Sequence, residues 1–383
     1  MTRKVINVAL NGVTGRMGYR QHLVRSLLSI REQGGVELAD GTALYPELIL
    51  IGRREDRLRA IAEQHGLDRW SASLDEVLSD PSLDVYFDTQ VTSAREESLA
   101  KAIAAGKHVY TEKPTASSLD GAVRLARAAR EAGVTNGVVQ DKLFLPGMIK
   151  LRRLVRDGFF GRVLSVRLEF GYWVFEGNSL SAQRPSWNYR REAGGGIVLD
   201  MFPHWQYLLE DLFGPISALY ARRTTHVPKR WDEAGEPYDV TADDAAYAIL
   251  EFENGVFGSV NSSWAVRVNR RELVELQVDG THGSAVAGLR NCVVQHRAST
   301  PMPVWNPDLA DPIDYLAQWA DVPDNEVPGN GFKVQWELFL ADAAQGRPFR
   351  WDLAEGAKGV QLAVLAERSS VDGCRVTVPA LGL

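Results

Sequence analysis

Two short stretches carry side chains whose types and spacing could move a proton beside a hydride. In residues 106–118, GKHVYTEKPTASS, the apolar run 108–110 is followed by Glu112, Lys113 and Pro114. Proline lacks a backbone donor and continues neither a strand nor a helix interior. It also drives the preceding residue into extended backbone, so the chain stops at a fixed corner that carries a lysine. In residues 191–205, REAGGGIVLDMFPHW, Gly194, Gly195 and Gly196 allow close backbone approach to a ligand, and Asp200 and His204 follow four residues apart. If residues 197–212 are helical, the two share a face. Pro203 then belongs near the helix start or at a kink. Histidine titrates near neutrality, and hydride transfer from a hydroxyl requires removal of that hydroxyl's proton. The same spacing equally suits a core histidine satisfied by a helical neighbour. No third ligand stands at metal spacing, so no metal is expected.

A third stretch, VALNGVTGRMG at residues 8–18, places Gly12, Gly15 and Gly18 between an apolar run and a helical pattern. Glycines there give a tight turn, close approach to a pyrophosphate and close helix–sheet packing. The helix start then offers free N–H groups to the phosphates. A site for unphosphorylated dinucleotide places Asp or Glu at the end of the second strand. Here LILIGRRED puts Gly52, Arg53 and Arg54 there. Arginine suits a 2′-phosphate and gives nothing to a ribose diol, so NADP(H) is favoured over NAD(H).

These residues need a scaffold, and the pattern supplies one. Apolar runs at 5–10, 48–51, 85–87, 108–110 and 134–139 alternate with helical segments up to about residue 31, at 55–65, at 93–105 and from residue 119 to Gly133. Such alternation implies a doubly wound parallel sheet with helices on both faces, a Rossmann arrangement. Residues 34–47 are polar and turn-rich and read as an insertion. Ligands of open α/β sheets bind beyond the carboxyl ends of the strands, which places Lys113 at the crevice. After Pro146 longer alternating runs appear at 163–175, 245–252, 256–264 and 273–278, as in an antiparallel or mixed sheet. Helices over 332–345 and 353–371 close the chain. The expected division is a dinucleotide-binding domain over 1–142 and a substrate-binding and oligomerisation α/β domain over 143–383.

The bulk numbers agree with an α/β protein of two domains. The chain has 383 residues, 45% hydrophobic and 24% charged, with a formal net charge of −6. No basic run concentrates positive charge, which argues against a nucleic-acid partner. The two cysteines, Cys292 and Cys374, stand far apart and form no disulfide framework, as in a reducing compartment. No apolar run has the length of a membrane span, and the apolar stretch at the start is too short for a secretory leader. The expectation is a cytoplasmic protein.

The glycine loop, AGKHVYTEKP at 105–114, the GGG-x-x-x-D-x-x-x-H block and the C-terminal segment 332–379 together resemble the Gfo/Idh/MocA oxidoreductases. DGFFGRVLSVRLEF, residues 157–170, is similar to that family's entry into its second sheet. The resemblance implies a Rossmann domain followed by an α/β domain with a large, mostly antiparallel sheet, through which members pair into homo-oligomers. It implies that Lys113, Asp200 and His204 are the catalytic trio. His204 would be the acid/base on the substrate oxygen, Lys113 would polarise that oxygen, and Asp200 would orient the substrate or His204. Gly12, Thr14, Gly15, Arg16, Met17, Arg53 and Arg54 would lie along the cofactor, with Thr89, Gln90, Glu112, Lys113 and Pro114 near its nicotinamide end. There are departures: FDTQVTSAR has Gln90 and no histidine where members often have Thr-Pro-Asn and then His, and Asp141-Lys142 stands where many have Asn and Arg.

Tyr172, Trp173, Arg184, Trp187, Asn188, Tyr189 and Arg190 lie near the catalytic cluster in sequence. Aromatic faces with polar forks suit a sugar ring, which has an apolar face and a rim of hydroxyls. Trp173, Trp187, Tyr189 and Arg190, with Lys113, Asp200 and His204, are therefore the expected substrate contacts. Core or interface roles are open for the tryptophans. The expected function is an NAD(P)-dependent dehydrogenase acting on a secondary hydroxyl or matching ketone of a sugar, glycoside or polyol. Alternatives are a non-catalytic dinucleotide-binding regulator and an imine or tetrapyrrole reductase on the same fold.

Overall fold

The structure, a computed structural model, describes residues 2–171, 184–268, 270–302, 306–310, 313–325 and 327–383. Trp173 and Tyr172 lie outside the described residues.

The first sheet has seven strands, in the order Val36–Glu37, Ala43–Ile51, Arg3–Asn11, Val85–Asp88, His108–Thr111 and Asn136–Val138, with Arg69–Ser71 also paired to Ala43–Ile51. All neighbours are parallel except the first pair. The apolar runs pack on both faces: Val8, Ala9, Leu10, Leu50, Val85, Tyr86 and Phe87 have no exposed surface, as in a parallel sheet covered twice. The chain leaves Arg3–Asn11 toward one side and crosses to Val85–Asp88 on the other. This reversal opens a crevice at the carboxyl ends of those two strands.

One expectation is corrected here. Residues 43–47 are not part of an insertion, because Ala43–Ile51 pairs in unbroken register with Arg3–Asn11. Leu44 and Pro46 point inward while their neighbours are half-exposed, and the run becomes fully buried only from Leu48. The half-solvated beginning of the strand hid it from a search for continuous apolar runs.

Among the described residues the second sheet has nine strands, in the order Ala320–Asp321, Cys292–His296, Gly283–Ala287, Val274–Gly280, Val163–Phe170, Phe257–Ser263, Ala245–Phe252, Ile216–Thr224 and Val376–Thr377. Among these described strands only Phe257–Ser263 with Val163–Phe170 is parallel. One face carries the helix Ile197–Phe213, whose Trp205, Leu208 and Leu209 are buried in that core. The other face carries exposed Tyr220, Tyr247, Ile249 and Phe257.

The closing helices bind the two sheets together. Leu353–Asp372, capped by Asp352 accepting from Glu355 N–H at 3.0 Å, packs on both Leu119–Ala132 and Ile197–Phe213. Gly359 meets Pro203 there, and a Cβ at Gly359 would lie 3.0 Å from the proline Cβ. Gly331–Ala344 returns to the first core, where Trp336, Phe339 and Leu340 join Leu10, Phe87 and Tyr110. Phe339 stacks on Tyr110 with ring centroids 4.6 Å apart. Among the described residues no helix is long and apolar enough to cross a membrane, and no cluster of His, Cys, Asp and Glu could hold a metal ion.

Candidate active site

The glycine loop sits at the crevice with no room to spare. Gly12 has φ +86°, and a Cβ there would lie 2.9 Å from the Thr89 carbonyl. At Gly18 a Cβ would come within 2.7 Å of both the Gly12 oxygen and Thr89 Cγ2. The helical segment Met17–Leu28, wound with π geometry, thus starts directly against the sheet. Gly15 and Arg16 are exposed at its mouth, and Thr14 and Met17 are half-buried. Arg53 and Arg54 are exposed just past the strand Ala43–Ile51, with no carboxylate between them and Ile51.

The loop after Val85–Asp88 is held from beneath. Buried Arg95 reaches Asp88 Oδ1 at 3.3 Å, donates to the Gln90 carbonyl at 2.6 Å, and donates to the Pro114 carbonyl. Asp88 also accepts from Tyr86 Oη at 2.7 Å, and Tyr86 from Asn11 Nδ2 at 2.8 Å. One guanidinium therefore ties the Gln90 turn to the corner that carries Lys113. The Gln90 amide oxygen is occupied by Ser98 Oγ at 2.9 Å.

The corner residues follow. The peptide between Lys113 and Pro114 is cis. Glu112 is buried, with Oε1 2.9 Å from His22 Nε2 and Oε2 accepting the Lys113 N–H at 3.1 Å. Trp336 Nε1 donates to His22 Nδ1 at 3.0 Å. An indole N–H only donates, so His22 carries its proton on Nε2 and gives it to Glu112. Burial opposes the charge of Glu112, but the His22 hydrogen bond and the Lys113 and Arg95 cations outweigh it and lower its pKa.

Lys113 points across to the second domain. Its Nζ donates to Asp200 Oδ1 at 2.6 Å and to the Asp200 carbonyl at 2.8 Å. Arg184 takes the other carboxylate oxygen, Oδ2, at 2.6 Å, and Asn188 Oδ1 at 2.9 Å. Its guanidinium lies over the Trp264 ring at 4.4 Å. Burial alone would raise the Asp200 pKa, yet Arg184 and Lys113 hold it well below the usual carboxylate range.

His204 is buried on the same helix, but its partner is not Asp200, which corrects the expected pairing. His204 Nδ1 lies 2.7 Å from Tyr207 Oη and 3.8 Å from Asp141 Oδ1. The Asp200 carboxylate is committed to the two cations instead. Burial first, then the charges of Lys113, Lys142 and Arg184, push the His204 pKa well below its usual value, which holds the ring neutral.

The structure thus gathers Lys113, Asp200 and His204 at one place, beside Arg184 and Asn188. It does not bring Tyr189 there. Tyr189 is fully buried, its ring under Arg230 at 4.1 Å and edge-on to Trp264 at 5.5 Å. Arg230 forms a fully buried ion pair with Asp244, and a flat aromatic face covers it. Arg190 is likewise engaged, over the Tyr238 ring at 4.2 Å. Trp187 is 43% exposed in the turn Ser186–Tyr189, whereas Trp205 is core. Sequence reasoning missed Tyr207, His22, Arg95 and Trp336 as site residues. Tyr207 had a signal, since three residues past His204 on a helix is the adjacent turn; the other three depend on long-range packing.

Comparison with known proteins agrees with this architecture. The oxidoreductase family with an NAD-binding Rossmann fold matches residues 6–140, and the GFO/IDH/MocA C-terminal domain matches residues 148–286. The chain is 56% identical to D-xylose dehydrogenase of Paenarthrobacter nicotinovorans over 383 residues, covering 99% of each. It is 30% identical to 1,5-anhydro-D-fructose reductase of Ensifer adhaerens over 257 residues, covering 66% of this chain and 70% of that protein. Its fold is similar to that of levoglucosan dehydrogenase in complex with NADH and L-sorbose, with TM-score 0.80 and 20% identity, covering 99% of this chain and 100% of that one. With both domains matched in order, and a relative this similar from end to end, the chain belongs to the Gfo/Idh/MocA family and is an oxidoreductase with an NAD-binding Rossmann domain.

Proposed function

We propose that the enzyme is a nicotinamide-dependent sugar dehydrogenase that oxidises a hydroxyl-bearing carbon of a sugar of the D-xylose class, or reduces the matching carbonyl. The observation that carries this reading is the 56% identity to a D-xylose dehydrogenase along 99% of both chains. The meeting of Lys113 and His204 beyond the first sheet supports it.

The residues present fit a dinucleotide. Gly12 and Gly18 let the loop lie directly against the Thr89 turn, where a Cβ at either would clash, and a helix starts there. Gly12, Thr14, Gly15, Arg16 and Met17 would hold the pyrophosphate, and Thr89, Gln90, Glu112 and Pro114 the nicotinamide end. A bound nicotinamide supplies the hydride acceptor. Lys113 Nζ donates to the reacting oxygen and stabilises the negative charge that develops as its proton leaves. His204, which burial and the cations around it keep neutral at rest, offers a ring-nitrogen lone pair to take that proton. Asp200 holds Lys113 in place, while Arg184 and the exposed face of Trp187 border the sugar.

Arg53 and Arg54 support preference for the 2′-phosphorylated cofactor, since a guanidinium pairs with a phosphate and not with a diol. The exposed apolar face of the second sheet supports a homo-oligomer, and the unpaired cysteines a cytoplasmic setting. The test is an assay of D-xylose and other aldoses and polyols with NADP+ and NAD+, repeated with R53D. Turnover of D-xylose with a lower KM for NADP+, and loss of that preference in R53D, are the expected results. A panel with no turnover sinks the substrate reading, and an unchanged NADP+/NAD+ ratio in R53D sinks the cofactor reading.

A further inference from the structure

We infer that Tyr207 and Asp141 are positioning residues that hold the His204 proton on Nδ1, so that Nε2 is the atom that accepts the substrate hydroxyl's proton. The inference rests on the hydroxyl oxidation proposed above.

Two segments meet at this imidazole. His204 and Tyr207 lie one turn apart on Ile197–Phe213, and Asp141 opens the short turn Asp141–Phe144 that follows the first sheet. Tyr207 Oη is 2.7 Å from His204 Nδ1, accepts the Lys142 N–H at 3.2 Å, and is 3.4 Å from Asp141 Oδ1. Asp141 Oδ2 accepts from Lys142 Nζ at 2.5 Å. A phenol oxygen has one proton to give and two lone pairs to receive with. All three contacts are served in one arrangement: Nδ1–H and the Lys142 N–H donate to Oη, and Oη–H donates to Asp141. In the reverse arrangement Oη–H points at Nδ1, and Asp141 Oδ1 faces two atoms that offer it no proton. The carboxylate, 3.8 Å from Nδ1, also favours a proton on that nitrogen. Among the described residues, Nε2 makes no hydrogen bond to protein.

The charged and titratable groups around the ring come from every side. Lys113 faces it from the corner after His108–Thr111, Lys142 and Asp141 from the turn after the first sheet, and Arg184 from the segment before Ser186–Tyr189. Asp200 lies on its own helix between Lys113 and Arg184, and Glu112 acts on Tyr207 from behind. Burial and the three cations disfavour a second proton on the resting ring. In the reaction the substrate O–H bond breaks and its proton passes to Nε2. The hydride leaves the same carbon for the nicotinamide, and the oxygen's electron pair forms the carbonyl. The resulting imidazolium keeps its Nδ1–H on Tyr207, with Asp141 as counter-charge.

The test reads tautomer and turnover separately. Long-range 1H–15N correlation on uniformly 15N-labelled wild-type protein, with the His204 signals assigned by their loss in H204Q, reports which nitrogen carries the proton. The expected result is a protonated Nδ1 and a bare Nε2, giving way to mixed tautomers in Y207F. An Nε2–H tautomer in the wild type overturns the inference, whatever the substrate. With D-xylose and NADP+ or NAD+, Y207F should lose about tenfold to a hundredfold in kcat/KM at unchanged nucleotide affinity. D141N should move the acid limb of the pH profile to lower pH, because it removes a charge that stabilises the imidazolium. In the H204Q background neither change should alter the residual rate; equal losses in both backgrounds overturn the inference. Absence of wild-type turnover on D-xylose would count against the proposed substrate alone and leave the tautomer to decide this point. If Y207F melts at a much lower temperature, D141N carries the same comparison.

Discussion

Lys113 and His204 stand in opposite electrostatic situations, and their variants should fail differently. Lys113 is a cation paired with a carboxylate at 2.6 Å. Replacing it with methionine leaves Asp200 its second cation, Arg184, so the fold should persist. Activity should then fall by on the order of 10²–10³, as when a donor to a developing oxyanion is lost; steady-state kinetics on D-xylose, with circular dichroism for folding, checks this. His204 has a pKa lowered by burial and by the cations around it. Above the ordinary histidine value of about 6.5 the folded and unfolded states are both neutral there, and no pH effect arises. As pH falls below that value the unfolded state binds the proton first, so stability is lost until the lowered folded-state value is passed. Melting temperatures between pH 7.5 and 5.5 should therefore drop less in H204Q than in the wild type. A parallel drop in both would show that other groups dominate acid sensitivity. At this scale the meeting of Lys113, Asp200 and His204 at one place was legible, since proline after lysine and glycines before aspartate restrict the backbone in recognisable ways. Their partners were not. Asp200 and His204 looked like a pair because a helix puts them on one face, but two cations from outside that helix bind the carboxylate more strongly than a neutral ring can.

The elements that hold these groups depend on a few close approaches. Gly12 combines a left-handed φ with a Cβ path blocked by the Thr89 carbonyl, whereas Gly106, with φ +70°, has open space around it. G106A should cost about 1 kcal/mol from backbone strain alone. G12A should cost more and also weaken dinucleotide binding, because the loop and the Thr89 turn must move apart; chemical denaturation and nucleotide titration separate the two effects. The Trp336–His22–Glu112 chain makes a second test. W336F keeps an aromatic ring but leaves His22 Nδ1 without its donor, at a cost of about 1–3 kcal/mol for a buried unsatisfied acceptor. A melting temperature within a degree of the wild type would show that the acceptor finds another partner. Both closing helices were readable in the sequence to within a residue, because each is long and Asn330 and Asp352 cap them. The short strands Gly283–Ala287 and Cys292–His296 were not, since five residues carry too little pattern to separate a strand from a loop. Nothing in the spacing of residues 93–105 marks Arg95, and only the fold shows it buried beneath the crevice against Asp88.

At the scale of the whole molecule, the outer face of the second sheet sets Ile249 between Tyr220 and Ser259 in register, with Tyr247 and Phe257 nearby, all partly exposed. Such a patch on a sheet is costly to leave in water. I249E should shift the protein to a smaller species in sedimentation velocity; an unchanged species, or a wild type already monomeric, would remove this face from the assembly. The two-part architecture was legible as a change from short runs alternating with helices to long alternating strands. The route of the chain between the parts was not, because nothing in residues 332–345 says which core they enter. That route has a consequence for synthesis. Phe87 and Tyr110 emerge from the ribosome long before the rings that cover them, since Trp336 and Phe339 lie more than half the chain away. The nascent first half must therefore wait with an open aromatic cleft until almost the last turn of translation. A ribosome-stalled chain ending near residue 150 should bind a hydrophobic dye or a holdase chaperone, and should release it only when the stall lies beyond the helix Gly331–Ala344.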